Sequence, residues 1–104
     1  MIDIYGLGNA IVDTEYRVSS KFLEANGIGK GLMTLVDGDQ ITKLTKIVNQ
    51  RDSERTSGGS AANTIITAQH LGANTYYSCK VANDEIGQFF IRDLRKAGIQ
   101  LNRN

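Results

Sequence analysis

The chain has 104 residues, 40% of them hydrophobic and 22% charged, with 11 glycines and no proline. That is the size of one domain or a piece of one, and it leaves glycine as the main breaker of regular structure. Twelve Lys and Arg against 11 Asp and Glu give a net charge of +1, which argues against a dedicated binder of nucleic acid or of an anionic membrane.

Ile2 to Leu7 alternates, is β-rich and breaks on Gly6 and Gly8, and Ala10-Ile11-Val12 continues apolar as far as Asp13. This predicts a buried strand to about residue 13, bent between Gly6 and Asn9. Thr14 to Val18 alternates polar and apolar, as a half-exposed strand does. Ser20 to Asn26 reads as a short helical turn closed by Gly27 and Gly29. Leu32 to Val36 is the next strand candidate, with Met33 and Leu35 expected in the core or on the sheet face.

Asp37, with Gln40 three residues on, has the form of a capping box. Ile41, Leu44, Ile47 and Val48 then fall on one face of an amphipathic helix. Gln50 to Thr56 is polar and charged, a loop or a short edge strand, and Arg51, Asp52, Glu54 and Arg55 read as solvated charges. A helix follows, with Ser60 as its N-cap and Gly72 just past its end; Ala61, Ala62 and Ala68 suggest close packing on a sheet. Asn74 to Val81 is a strand, and Asp84 caps a second helix with an expected buried stripe of Ile86, Phe89, Phe90, Leu94 and Ala97. Ile99 begins another extended segment. Helix, strand, helix, strand in this order predicts an α/β protein with parallel strands, and the open edge such a short sheet would leave suggests the N-terminal part of something larger.

A single cysteine, Cys79, cannot form an internal disulfide, and one histidine, His70, cannot build a His/Cys zinc site. Cys79 reads as a small buried hydrophobe, and His70 as a residue of a last helical turn, where positive charge is favoured. The first residues lack the pattern of a signal peptide, and no apolar run approaches the roughly 20 residues of a membrane helix. A cytoplasmic protein is the expectation, with no nucleic acid and no membrane as partner. Four Tyr, three Phe and no Trp also leave little for a platform on which single strands would stack.

Three places hold candidate chemistry. Gly6-Leu7-Gly8 follows a strand, but a dinucleotide fingerprint would need a third glycine where Ile11 stands, and no Gly-Lys-Ser/Thr P-loop occurs; the pair reads most simply as a bend. Gly58 and Gly59 precede a helix, so backbone could approach a ligand closely and offer N–H groups to an anion or to hydroxyl oxygens. Asn63, in the first turn, both donates and accepts, which suits a sugar hydroxyl; the alternative is a tight packing turn. Asp13, at the end of an apolar run, stands where ligands bind in α/β sheets and could accept from two neighbouring hydroxyls, or it is a surface turn former.

Gly6-x-Gly8-Asn9-Ala10-Ile11-Val12-Asp13, Ser57-Gly58-Gly59-Ser60-Ala61-Ala62-Asn63-Thr64 and Asn83-Asp84-x-x-Gly87 together resemble the start of a ribokinase/PfkB-family kinase, in its adenosine-kinase-like branch. The resemblance implies a ribokinase-like three-layer α/β sandwich with a small β-sheet lid. Residues 1–104 would be its N-terminal portion, with lid segments near 14–18, 32–36 and from 99. It implies that Asp13 holds the acceptor's sugar hydroxyls, and that Gly58 and Gly59 approach the same sugar and act as a hinge. Asn63 and Asn9 would add hydroxyl contacts, and Ile11, Met33 and Leu35 would line the base or sugar pocket. The family's catalytic Gly-Ala-Gly-Asp motif is absent. The resemblance therefore implies the acceptor-binding portion of a kinase acting on a primary hydroxyl of a nucleoside or of a ribose- or fructose-type sugar. ATP and Mg²⁺ would bind outside this sequence, and the chain alone would be inactive. A non-catalytic binding or dimerisation module, paired through lid strands, is the alternative.

Overall fold

The computed structural model describes residues 1–49 and 53–102. In chain order these form β1 (Ile4–Leu7), β2 (Ile11–Tyr16), α1 (Ser20–Ala25), α2 (Gly38–Val48), β3 (Ser53–Gly58), α3 (Ser60–His70), β4 (Thr75–Ser78), α4 (Glu85–Lys96) and β5 (Gln100–Leu101). They fall into two units, one of Met1–Thr14 with the chain from Arg55 on, the other of Glu15–Glu54.

The first unit is built on a parallel sheet in the order β1-β4-β5, with Tyr5 opposite Tyr76 and Tyr77 opposite Leu101. The alternation along β4 decides its faces. Thr75, Tyr77 and Cys79 are buried in a core with Ala62 and Ile65 of α3, Phe90, Ile91 and Leu94 of α4, and Ile99. Tyr76 points the other way, and its ring stacks on that of Tyr5 at 4.9 Å. The Asn102 side chain prolongs the ladder beyond β5: its Nδ2 donates to the Cys79 carbonyl and its Oδ1 accepts from the Cys79 N–H.

The helices start and stop where local chemistry requires. Asp84 caps α4 by accepting from the Gly87 N–H at 2.7 Å, and a Cβ on Gly87 would run into the Ala82 carbonyl. Helices α3 and α4 both end on a glycine with positive φ, Gly72 and Gly98, as left-handed helix ends favour. In the second unit, Asp37 and Gln40 form both halves of the capping box of α2, and Ser19 caps α1.

Several expectations are corrected. The chain does not run as one bent strand to residue 13: β1 ends at Leu7, and β2 starts at Ile11 and pairs with β3. Asp13 therefore lies inside a strand rather than at its end. β1 is also not buried, since Ile4, Tyr5 and Leu7 are exposed on an edge strand. Leu32–Val36 forms neither helix nor strand, because a strand needs a ladder partner and none pairs with it among the described residues. Met33 and Leu35, accordingly, are not core residues but are 90% and 89% exposed. On α4 the buried positions are Gly87, Phe90, Ile91 and Leu94; Ile86 is exposed, because the helix turns Ile91 rather than Ile86 toward the sheet. On α2 only Val48 is fully buried. Glu54 and Arg55 lie in β3, the edge-strand alternative for this segment, while Arg51 and Asp52 lie outside the described residues.

Candidate functional site

Gly6 lies within β1 and Gly8 just beyond its end, and neither has positive φ. They are glycine because neighbours fill the space a side chain would need. A Cβ on Gly6 would stand 2.6 Å from Ile65 Cγ1, and one on Gly8 would stand 2.6 Å from the Tyr77 hydroxyl and 2.7 Å from Ala61 Cβ. The Tyr77 hydroxyl in turn donates to the Asn9 carbonyl at 2.7 Å. This fixes the short connection that leads from β1 to Ile11 and Asp13.

On the other side, β3 becomes buried only at its last two residues, Ser57 and Gly58. A Cβ on Gly58 would meet Asp13 Oδ2 at 2.5 Å, so the exposed carboxylate lies directly over the glycine. Gly59 follows at φ +105°, and a Cβ there would come 3.5 Å from the Asn9 carbonyl and 3.6 Å from Ile11 Cδ1. Gly59, not Ser60, is the N-cap of α3, because its backbone alone makes the turn into the helix. No side chain caps this end, which suits the first-turn N–H groups to oxygen atoms of a ligand.

Asn9, Ile11, Asp13, Gly58 and Gly59 are thus brought together. Asn63 lies in the first turn of α3 with its backbone N–H on the Gly59 carbonyl at 2.8 Å, and the residue is exposed. Met33 and Leu35 belong to the second unit. Sequence reasoning missed Tyr77, Ser57 and Asp93. The signal for the first was a tyrosine on the inward side of a strand, whose hydroxyl had to find a partner. Burial raises the pKa of Tyr77, with a smaller contribution from Cys79, and burial also raises that of the Cys79 thiol. Among the described residues no group of three or more His, Cys, Asp or Glu side chains could hold a metal ion. No helix among them is long and apolar enough to cross a membrane.

The three-stranded parallel sheet with its helices and the separate two-stranded sheet are those of a ribokinase-type chain. Residues 28–103 match the pfkB carbohydrate kinase family, and the protein belongs to that family. It is similar to an adenosine kinase from Sinorhizobium meliloti (38% identity, TM-score 0.74) and to a probable sugar kinase from Rhizobium etli (34%, TM-score 0.76). In each case the match covers 99% of this chain and 31% of the other. An adenosine kinase from Trypanosoma brucei brucei, at 24% identity and TM-score 0.78 over 93% of this chain and 31% of that one, shares the fold. The chain therefore spans about a third of the length of these relatives.

Proposed function

We propose that this sequence is the acceptor-binding portion of an ATP-dependent kinase that phosphorylates a primary hydroxyl of a nucleoside, adenosine-like, or of a sugar. The observation that carries the reading is the Asp13 carboxylate standing over Gly58 beside the Gly59 turn. The similarity to the S. meliloti adenosine kinase favours a nucleoside over a free sugar.

In this reading Asp13 accepts hydrogen bonds from two neighbouring ring hydroxyls, each contributing about 1.5–3 kcal/mol when the acceptor is ionised. Gly58 has no side chain, so the Asp13 carboxylate can lie close over the backbone there. The amides at the start of α3 and the Asn63 side chain bind further hydroxyl oxygens, and Ile11 covers an apolar face of the ligand. ATP, with Mg²⁺, supplies the phosphoryl group. The residues of this sequence orient the acceptor, since phosphoryl transfer depends chiefly on positioning and charge stabilisation. In this reading the chain by itself is inactive, because the family's Gly-Ala-Gly-Asp motif does not occur in this sequence. The protein works in the cytoplasm.

The test is a coupled ATP-consumption assay on the protein at its native length, offered adenosine, inosine, guanosine, ribose and fructose. Turnover with adenosine strongest is expected. Turnover with none of the five would overturn the kinase reading and favour a binding or dimerisation module.

A further inference from the structure

Helix α4 reaches β3 at two points. The Arg55 guanidinium meets Glu85 at 3.1 Å on the surface. Two residues on, and so on the same side of the strand, the Ser57 hydroxyl donates to Asp93 Oδ2 at 2.7 Å, and the Ser57 N–H points at the same oxygen at 3.4 Å. The two ties differ in weight. Glu85 is 80% exposed on its side chain, and such pairs are screened by solvent. Ser57 is 9% exposed and Asp93 is half-buried, so the second is a charge-assisted bond in a partly dry setting.

Its place along the chain matters. Ser57 immediately precedes Gly58, whose Cα lies under the Asp13 carboxylate, and Gly59, whose φ only glycine adopts readily. Two successive glycines hold no conformation by themselves, so something outside them must fix where they begin. Tyr77 does this for the β1–β2 connection through Asn9. On the β3 side the ladder with β2 and the first turn of α3 hold the ends of the pair, and Asp93 adds the side-chain tie at Ser57.

From this geometry we infer that Asp93 is a positioning residue for the acceptor site: through Ser57 it sets the glycine pair against Asp13. The inference rests on the acceptor-site reading above. Asp93 touches no ligand in this account, so its effect falls on acceptor affinity and leaves the nucleotide side alone.

The experiment uses the native-length protein with Asp93→Ala, Asp93→Asn, Ser57→Ala and the double variant Asp93→Ala/Ser57→Ala. Asp93→Ala is expected to raise the acceptor KM about tenfold, the equivalent of one charge-assisted hydrogen bond, with the KM for ATP unchanged. Asp93→Asn, which keeps an accepting oxygen, restores most of it. The double variant is no worse than either single one, because both remove the same bond. Equal changes in both KM values, or strictly additive effects, would overturn the inference. Amide hydrogen exchange at Gly58, Gly59 and Ser60 separates its failure from that of the kinase reading. A wild-type protein without turnover sinks the kinase reading alone, whereas exchange at these amides left unchanged by Asp93→Ala sinks the positioning role whatever the turnover.

Discussion

The Asp13 carboxylate occupies the space that a side chain on Gly58 would take, with Oδ2 2.5 Å from the position of a Cβ. Gly58 does not have positive φ, so alanine could adopt its backbone conformation and only the clash with Asp13 counts. Gly58→Ala is therefore expected to push Asp13 aside, lowering kcat/KM for the acceptor by tenfold or more. Its stability cost should stay within the ordinary range of about 0.5–3 kcal/mol for a point substitution. Steady-state kinetics beside urea unfolding would check both parts. Unchanged kinetics would mean that the carboxylate can shift without loss of binding.

Gly59→Ala should behave differently. At φ +105° and ψ 143° the backbone is in a region that a Cβ makes costly, by about 1–3 kcal/mol, while the nearest atoms around a Cβ leave room for one. Strain rather than collision dominates. The expected result is a lower urea midpoint than for Gly58→Ala, and comparing the two midpoints tests it.

Asp13→Ala removes two hydrogen bonds to ionised oxygen in the proposed complex, so acceptor kcat/KM should fall by about a hundredfold or more. Asp13 is exposed, and the thermal midpoint should move by little. A variant with wild-type turnover would displace Asp13 from the acceptor site.

Much of this arrangement is legible in the sequence, and the exceptions have physical causes. Asp37 with Gln40, Asp84 with Gly87, and the glycines after α3 and α4 each act within a few residues, so their roles can be read locally. The parallel order of β1, β4 and β5 follows from the alternation of helix and strand. What fails depends on distant partners. Leu32–Val36 has the composition of a strand but no ladder to join among the described residues. Gly8 reads as a bend because the Tyr77 hydroxyl that requires it lies 69 positions away. Asp93 looks like one more charge on a helix until Ser57, 36 residues earlier, is found against it.

Tyr77→Phe tests the other anchor of the site. The ring is fully buried and its hydroxyl bonds the Asn9 carbonyl at 2.7 Å, so phenylalanine keeps the packing and orphans one acceptor. A loss of about 1–3 kcal/mol is expected, with faster hydrogen exchange around Asn9. No loss would mean that water replaces the hydroxyl.

Cys79 gives a pH dependence whose sign can be worked out. It is 8% exposed, and burial holds its thiol pKa above the ordinary value. The thiol of the unfolded chain thus ionises first as pH rises, near about 8.5. Below that pH both states hold the proton and the stabilisation is complete. Above it the unfolded state binds fewer protons than the folded one, so stability falls with rising pH, and the raised pKa of Tyr77 acts in the same direction at higher pH. The urea midpoint should accordingly decline between pH 8 and 10, and Cys79→Ala should flatten the lower part of that decline. At pH 8 a thiol reagent should modify Cys79 only as fast as the protein opens. Rapid labelling of the native protein would place the thiol at the surface and remove the cause of the shift.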